Sequence, residues 1–180
     1  RAGDAGLAGW LGGLMQRCEQ WRRWIDKGRP AAYWLTGLLQ PRTFLNAIRQ
    51  EHIRKKEKHD VQLEDLVLFS EVTKMELNDI KGHADDGVYI HSLVLEGCGW
   101  HKRDSKIVDN PTRNPFVPIP ILHVTAVSKK QRQWDHVVYE APVYMDKTRT
   151  GGSIFSVEVK TDDSPAKWTM RGVAILASRD

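Results

Sequence analysis

At 180 residues, with 41% hydrophobic and 28% charged side chains, the chain has the composition of a globular domain, which argues against a fibrous or disordered one. It is long enough to bury a core without a disulfide or metal staple, and no apolar run approaches the roughly 18 residues of a membrane span. The net charge of +4 permits an acidic protein or a nucleic acid as partner and demands neither.

The chain opens on Arg1, not Met, as expected of a fragment or a processed chain, and shows no signal-peptide pattern. Leu7, Trp10, Leu11, Leu14, Met15, Cys18, Trp21 and Ile25 recur at spacings of three and four, which predicts an amphipathic helix. Gln16, Glu19, Gln20, Arg22, Arg23 and Asp26 fill its other side. Asp4 is a candidate cap for its start. Lys27, Gly28 and Pro30 end it with a cation at the negative pole, a left-handed cap residue and a residue that cannot continue. Each large side chain on the stripe contributes ~1.5–3 kcal/mol when buried, so the stripe is expected to be covered. A short apolar stretch, 31–39, follows. Pro41 then starts a second helix with Phe44, Leu45 and Ile48 on one face and a charged tail over 49–59.

Beyond about residue 61 the segments become short and β-branched, separated by turn residues. The expected strands are 66–73, 88–96, 119–127, 136–144, 153–160 and 168–176, with a short one at 107–108. Consecutive strands without intervening helices predict an antiparallel meander closed into a small barrel or sandwich. The fold class is therefore α+β: a helical segment over 1–60, then an antiparallel β-barrel of about six strands over 61–180, together one module.

Chemistry is hard to find along this sequence. No Gly-Lys-Ser or Gly-Lys-Thr occurs, and Gly97-Cys98-Gly99 lacks both the third glycine and the helix of a nucleotide-binding turn. No Cys-x-x-Cys or His-x-x-x-His is present, and His83, His91 and His101 stand too far apart to form a metal motif by themselves. His91 and Ser92 are adjacent, but neighbours on one strand point to opposite faces and are not expected to pair as base and nucleophile. Asp85-Asp86 and Asp162-Asp163 read as turn residues. Cys18 and Cys98 read as reduced thiols, which suits a cytosolic compartment. Gly9, Gly12 and Gly13 read as helix positions that allow close packing.

The residues carry a family resemblance. Tyr33-Trp34-Leu35-Thr36-Gly37-Leu38-Leu39-Gln40-Pro41, followed by Phe44-Leu45-Asn46-Ala47, resembles the helical start of the C-terminal domain of dynein heavy chains. The run from Gly87 to Trp100 is similar to that family's strand and turn, and Tyr139–Tyr144 and Trp168 with Gly172-Val173-Ala174 match in kind and order. Ser92, Leu39 and Cys98 stand where the family usually has Gly, Phe and Ala. The Leu95-Glu96-Gly97 turn with Trp100 looks more like axonemal than cytoplasmic dyneins.

Dynein heavy chains are ATP-driven, minus-end-directed microtubule motors built on a ring of six AAA+ modules. The resemblance implies a non-catalytic cap on one face of that ring that modulates the motor, in a cilium or flagellum. It implies no cofactor in this segment, with ATP and Mg held by the parent AAA+ modules. The partners it implies are those modules and, through the parent, microtubules and other dynein subunits, without a membrane or a nucleic acid. Beside that resemblance, Trp10, Leu14, Trp21 and Trp34 are the expected packing or interface anchors, and Arg49, Arg54, Lys55 and Lys56 the expected docking face.

Two other readings stand beside this one. A nucleic-acid-binding barrel would need aromatics such as Tyr89, Trp134, Tyr144 and Phe155 gathered on one strand face beside a basic groove. Arg22-Arg23 between Trp21 and Trp24 hints at the same partner, although Trp21 belongs to the helix stripe. A small enzyme would need a site assembled from distant residues such as His91, His123 and Asp135.

Overall fold

The computed structural model describes residues 6–55, 62–110, 112, 114–131 and 136–177. Helix α1 runs Gly6–Lys27 and α2 runs Pro41–Lys55, each starting and stopping close to where the caps and prolines predict. Gly28 has φ +82°, the left-handed conformation that ends a helix at low steric cost. Asp4 and Lys56 lie outside the described residues.

Between the helices, β1 (Ala32–Trp34) runs into a 3-10 turn over Leu35–Gly37. Ten further strands follow among the described residues: β2 (Leu66–Val72), β3 (Val88–His91), β4 (Leu93–Glu96), β5 (Gly99–His101), β6 (Lys106–Val108), β7 (Phe116–Pro118), β8 (Leu122–Ser128), β9 (Val138–Tyr144), β10 (Phe155–Thr161) and β11 (Ala174–Ala177). They form a four-stranded sheet, ordered β1-β3-β8-β2, and a seven-stranded one, ordered β5-β6-β10-β9-β11-β4-β7, which curls into a nearly closed, barrel-like shape. The fold is thus α+β, with helices first. Most pairings are antiparallel, but β1 with β3, β6 with β10 and β9 with β11 run parallel.

Two sequence expectations are corrected. The run 88–96 is two strands, because Ser92 takes φ +59° and ends the pleat there. Its first half joins the smaller sheet and its second half the larger, so the residue acts as the corner between them. The expected strand 168–176 begins instead as a short helix, α3 (Pro165–Met170), with Pro165 at its start. Trp168 is fully buried there, and its indole Nε1–H donates to Thr161 Oγ1 at 2.7 Å. The strand starts only at Ala174, after Gly172 turns the backbone with φ +64°.

The core is one continuous cluster. It joins Leu35, Leu45 and Ile48 of the helical segment to Ile90, Leu95, Leu122, Val143, Val157 and Ile175 of the sheets. Gly87, with φ +73°, sits so close to β8 that an added Cβ would lie 2.1 Å from the Val124 carbonyl oxygen; only glycine fits.

Candidate interface

Helix α1 contacts the rest of the protein through one narrow face. Arg17, Gln20, Trp21 and Trp24 fall at helical spacing on that face. Trp21 and Trp24 stack with centroids 5.1 Å apart and planes within 5°. Trp24 meets Tyr33 edge-on at 5.5 Å, and Tyr33 meets Phe44 of α2 at 4.6 Å, so an aromatic ladder ties α1, β1 and α2 together. The Trp21 indole Nε1–H donates to the Gly37 carbonyl at 3.1 Å.

Gln20, read from the sequence as a solvent-side residue, completes the attachment. The Trp34 N–H donates to Gln20 Oε1 at 3.2 Å, and Gln20 Nε2 donates to the Trp34 carbonyl at 3.5 Å. The amphipathic pattern could not flag it, because hydropathy does not separate an amide in water from an amide bonded to backbone.

Apart from Trp21, most of the apolar stripe is left uncovered within this domain. Leu7 is 70% exposed, Met15 71% and Ile25 81%, while Trp10, Leu11 and Leu14 are 41%, 44% and 37% exposed. No α1 residue is fully buried. Cys18, on the same stripe, is exposed and free. Of the expected anchors, then, Trp21 and Trp34 pack inside this protein, Trp10 is part-exposed on the wall of a crevice beside the helix, and Leu14 presents apolar surface outward.

Among the described residues, two concavities flank α1. An open groove of about 590 Å³ lies between Met15, Glu19 and Arg23 on the helix and Ala32, Trp34 and His91 on the sheet edge. A crevice of about 120 Å³ separates Gly9, Trp10, Gly13 and Arg17 from Met145 and Asp146 after β9.

The charged end of α2 is partly consumed by internal bonds. Arg49 Nη2 donates to the Leu63 carbonyl at 2.7 Å. Lys55 pairs with Glu51 at 3.2 Å, and Glu51 also takes Arg29 at 3.2 Å. Desolvation is the largest single influence on the Glu51 carboxyl and raises its pKa, but the hydrogen bonds and charges of Arg29 and Lys55 together outweigh it and hold the group below its usual range. Arg54 is exposed. Arg22 and Arg23 both bond Glu19.

The rival sites do not assemble among the described residues. His91 and Ser92 do touch, contrary to the expectation: the left-handed turn at Ser92 brings its Oγ to 2.9 Å from His91 Nδ1. Burial pushes the His91 pKa down, favouring the neutral ring. Among the described residues no carboxylate is bonded to it, and the third group that orients the base of a triad is missing there. His123 is bonded instead to the Asp86 carbonyl at 2.8 Å, and Asp135 lies outside the described residues. No group of three or more His, Cys, Asp or Glu side chains converges among those residues. Tyr89 tilts against His123, Tyr144 lies under Arg149 and Phe155 packs on the core, so these three form no stacking platform. Trp134 lies outside the described residues.

Comparison with known proteins decides the family. The family model for the C-terminal domain of dynein heavy chains matches residues 3–177. The protein belongs to that dynein family. This dynein domain is 38% identical to the gamma chain of the flagellar outer arm dynein of Chlamydomonas reinhardtii, over 97% of its own length. It is 36% identical over 94% of its length to dynein axonemal heavy chain 5 of Mus musculus, and 32% identical over 95% to the ciliary dynein beta chain of Heliocidaris crassispina. It spans about 4% of the length of each of these relatives.

Proposed function

We propose that this dynein domain is a non-catalytic structural and regulatory module of a ciliary or flagellar heavy chain, and that it packs on the AAA+ ring of the parent motor through α1. The observation that carries the reading is the outward-facing stripe of Leu7, Leu11, Leu14, Met15 and Ile25, all more than a third exposed. A contiguous apolar face on water marks a contact surface. Burying it contributes ~1.5–3 kcal/mol per large side chain, enough to hold a tethered domain in place.

The motor's ATP hydrolysis and microtubule binding belong, in this reading, to the rest of the heavy chain. A module that rests on several parts of a ring changes their rate only if its contacts differ between ring states. The exposed Arg54 and the neighbouring Lys55, with Lys56 beyond the described residues, supply a second contact for an acidic surface.

The test uses the intact motor carrying Leu7→Ser, Leu11→Ser and Met15→Ser together. These side chains make no core contact in the domain, so the domain itself stays folded. Release from the ring appears as faster proteolysis at the domain's junction and as a changed microtubule-stimulated ATPase. Unchanged proteolysis and ATPase would remove the stripe from the interface.

A further inference from the structure

We propose that the Gly12-Gly13 step of α1 is a hinge, about which the first two turns of the helix close onto the Met145-Asp146 turn. The hinge concerns the domain's own mechanics and does not depend on what covers the apolar stripe.

Four observations converge on this step. First, every anchor of α1 lies beyond it: Gln20 on Trp34, Trp21 on Gly37, and the Trp21–Trp24 stack beside Tyr33. The turns before it present exposed side chains, and so short a helical segment has little stability of its own. Second, packing does not require either glycine, since a Cβ at Gly12 or Gly13 would meet nothing within 4 Å. Their close-packing role, expected from the sequence, is not exercised within this domain.

Third, the side chain of Arg17 adds a donor to the ladder carbonyl of Gly13: its Nε donates to that oxygen at 3.1 Å. Helices bend where small, weakly helix-forming residues such as glycines cluster, as they do here. When the bond from the Arg17 N–H stretches, the guanidinium keeps the carbonyl satisfied. Fourth, there is space to bend into. The 120 Å³ crevice has Gly9, Trp10 and Gly13 on one wall and Met145 and Asp146 on the other. Closure carries the Trp10 ring towards the Met145 thioether, a favourable contact. Such a hinge lets whatever holds the first turns move without shearing the Trp21–Trp24 anchor.

The experiment places spin labels at Leu7→Cys and Lys147→Cys in the full 180-residue protein, in a Cys18→Ser background with the buried Cys98 left in place. Pulsed dipolar spectroscopy is expected to resolve two distance populations. In the Gly12→Ala, Gly13→Ala variant the shorter population falls several-fold, while circular dichroism shows equal or greater helix content. A single distance unchanged by the alanines overturns the hinge. So does a broad, featureless distribution with reduced helix content in the parent protein, because the first turns would then be unravelling and not bending.

Discussion

Gln20 on α1 binds Trp34 on the edge strand β1 as a neighbouring strand would, offering one acceptor and one donor to the two backbone groups of a single residue. An edge strand presents backbone groups that must be covered or bonded. Here a side-chain amide from a helix does it, and the same two bonds fix the height of α1 over the sheet. Gln20→Ala is expected to cost about 1–2 kcal/mol, with hydrogen exchange rising in 14–27 before the β part loosens. Urea unfolding followed by both far-UV dichroism and exchange checks this. Unchanged protection of α1 would mean the aromatic ladder alone holds the helix.

Trp168 should be the most sensitive single position. It is fully buried, and its indole bonds the buried Thr161 hydroxyl. Trp168→Ala is expected to lose ~3–5 kcal/mol, comparable with the whole stability of a small domain. Trp168→Phe keeps most of the volume but leaves the Thr161 hydroxyl one partner short, so an intermediate loss is expected in thermal melts.

Gly87 and Gly12 should respond in opposite directions to the same substitution. Gly87→Ala forces a left-handed alanine, costing ~1–2 kcal/mol before the clash with the Val124 carbonyl is added. Gly12→Ala places a methyl group in open space on a helix and should stabilise by ~0.5–1 kcal/mol. Melting temperatures of the two variants test the pair; equal signs would contradict the local geometry.

Alkaline pH should destabilise the domain through buried acids. Desolvation among apolar neighbours pushes the Cys98 thiol up to about 12 from an ordinary 9.0, opposed by the nearby Arg171. Burial raises Tyr139 as well, whose hydroxyl donates to the Val173 carbonyl at 2.7 Å. Above pH 9 the unfolded state sheds the Cys98 proton while the folded state keeps it, so the unfolded state gains ground. The stability from Cys98 is complete below pH 9 and declines between pH 9 and about 12. Equilibrium unfolding across that range should show the decline, and Cys98→Ala should flatten part of it. In the folded protein at pH 8, iodoacetamide should modify the exposed Cys18 and spare Cys98.

Much of this domain was legible in the sequence because it is locally encoded. The 3.6-residue period marked α1, Gly28 and Pro30 marked its end, and Pro41 marked the start of α2, since each acts through backbone torsions of its own neighbourhood. β-Branched runs marked the stretches that hold β2, β8, β9 and β10, and the motifs around Trp34 and Trp100 marked the family. The emptiness of the sequence for phosphate-loop and zinc motifs was equally plain, because those chemistries need residues at short, fixed spacings.

Tertiary structure decided the rest. Nothing in the alternating run 88–96 says that Ser92 must turn left-handed, because that turn exists to hand one strand to each of two sheets. Trp168 carries a strand-like pattern but closes a helix turn over the core, where Thr161, seven residues earlier, supplies its bond. The face of α1 that packs was chosen by Tyr33 and by the backbone of Trp34 and Gly37, not by the helix's own most apolar side. That left Leu7, Leu11, Leu14 and Met15 outward. Hydropathy reports how strongly a side chain avoids water; which surface meets it there is settled only by the pairing of segments distant in sequence.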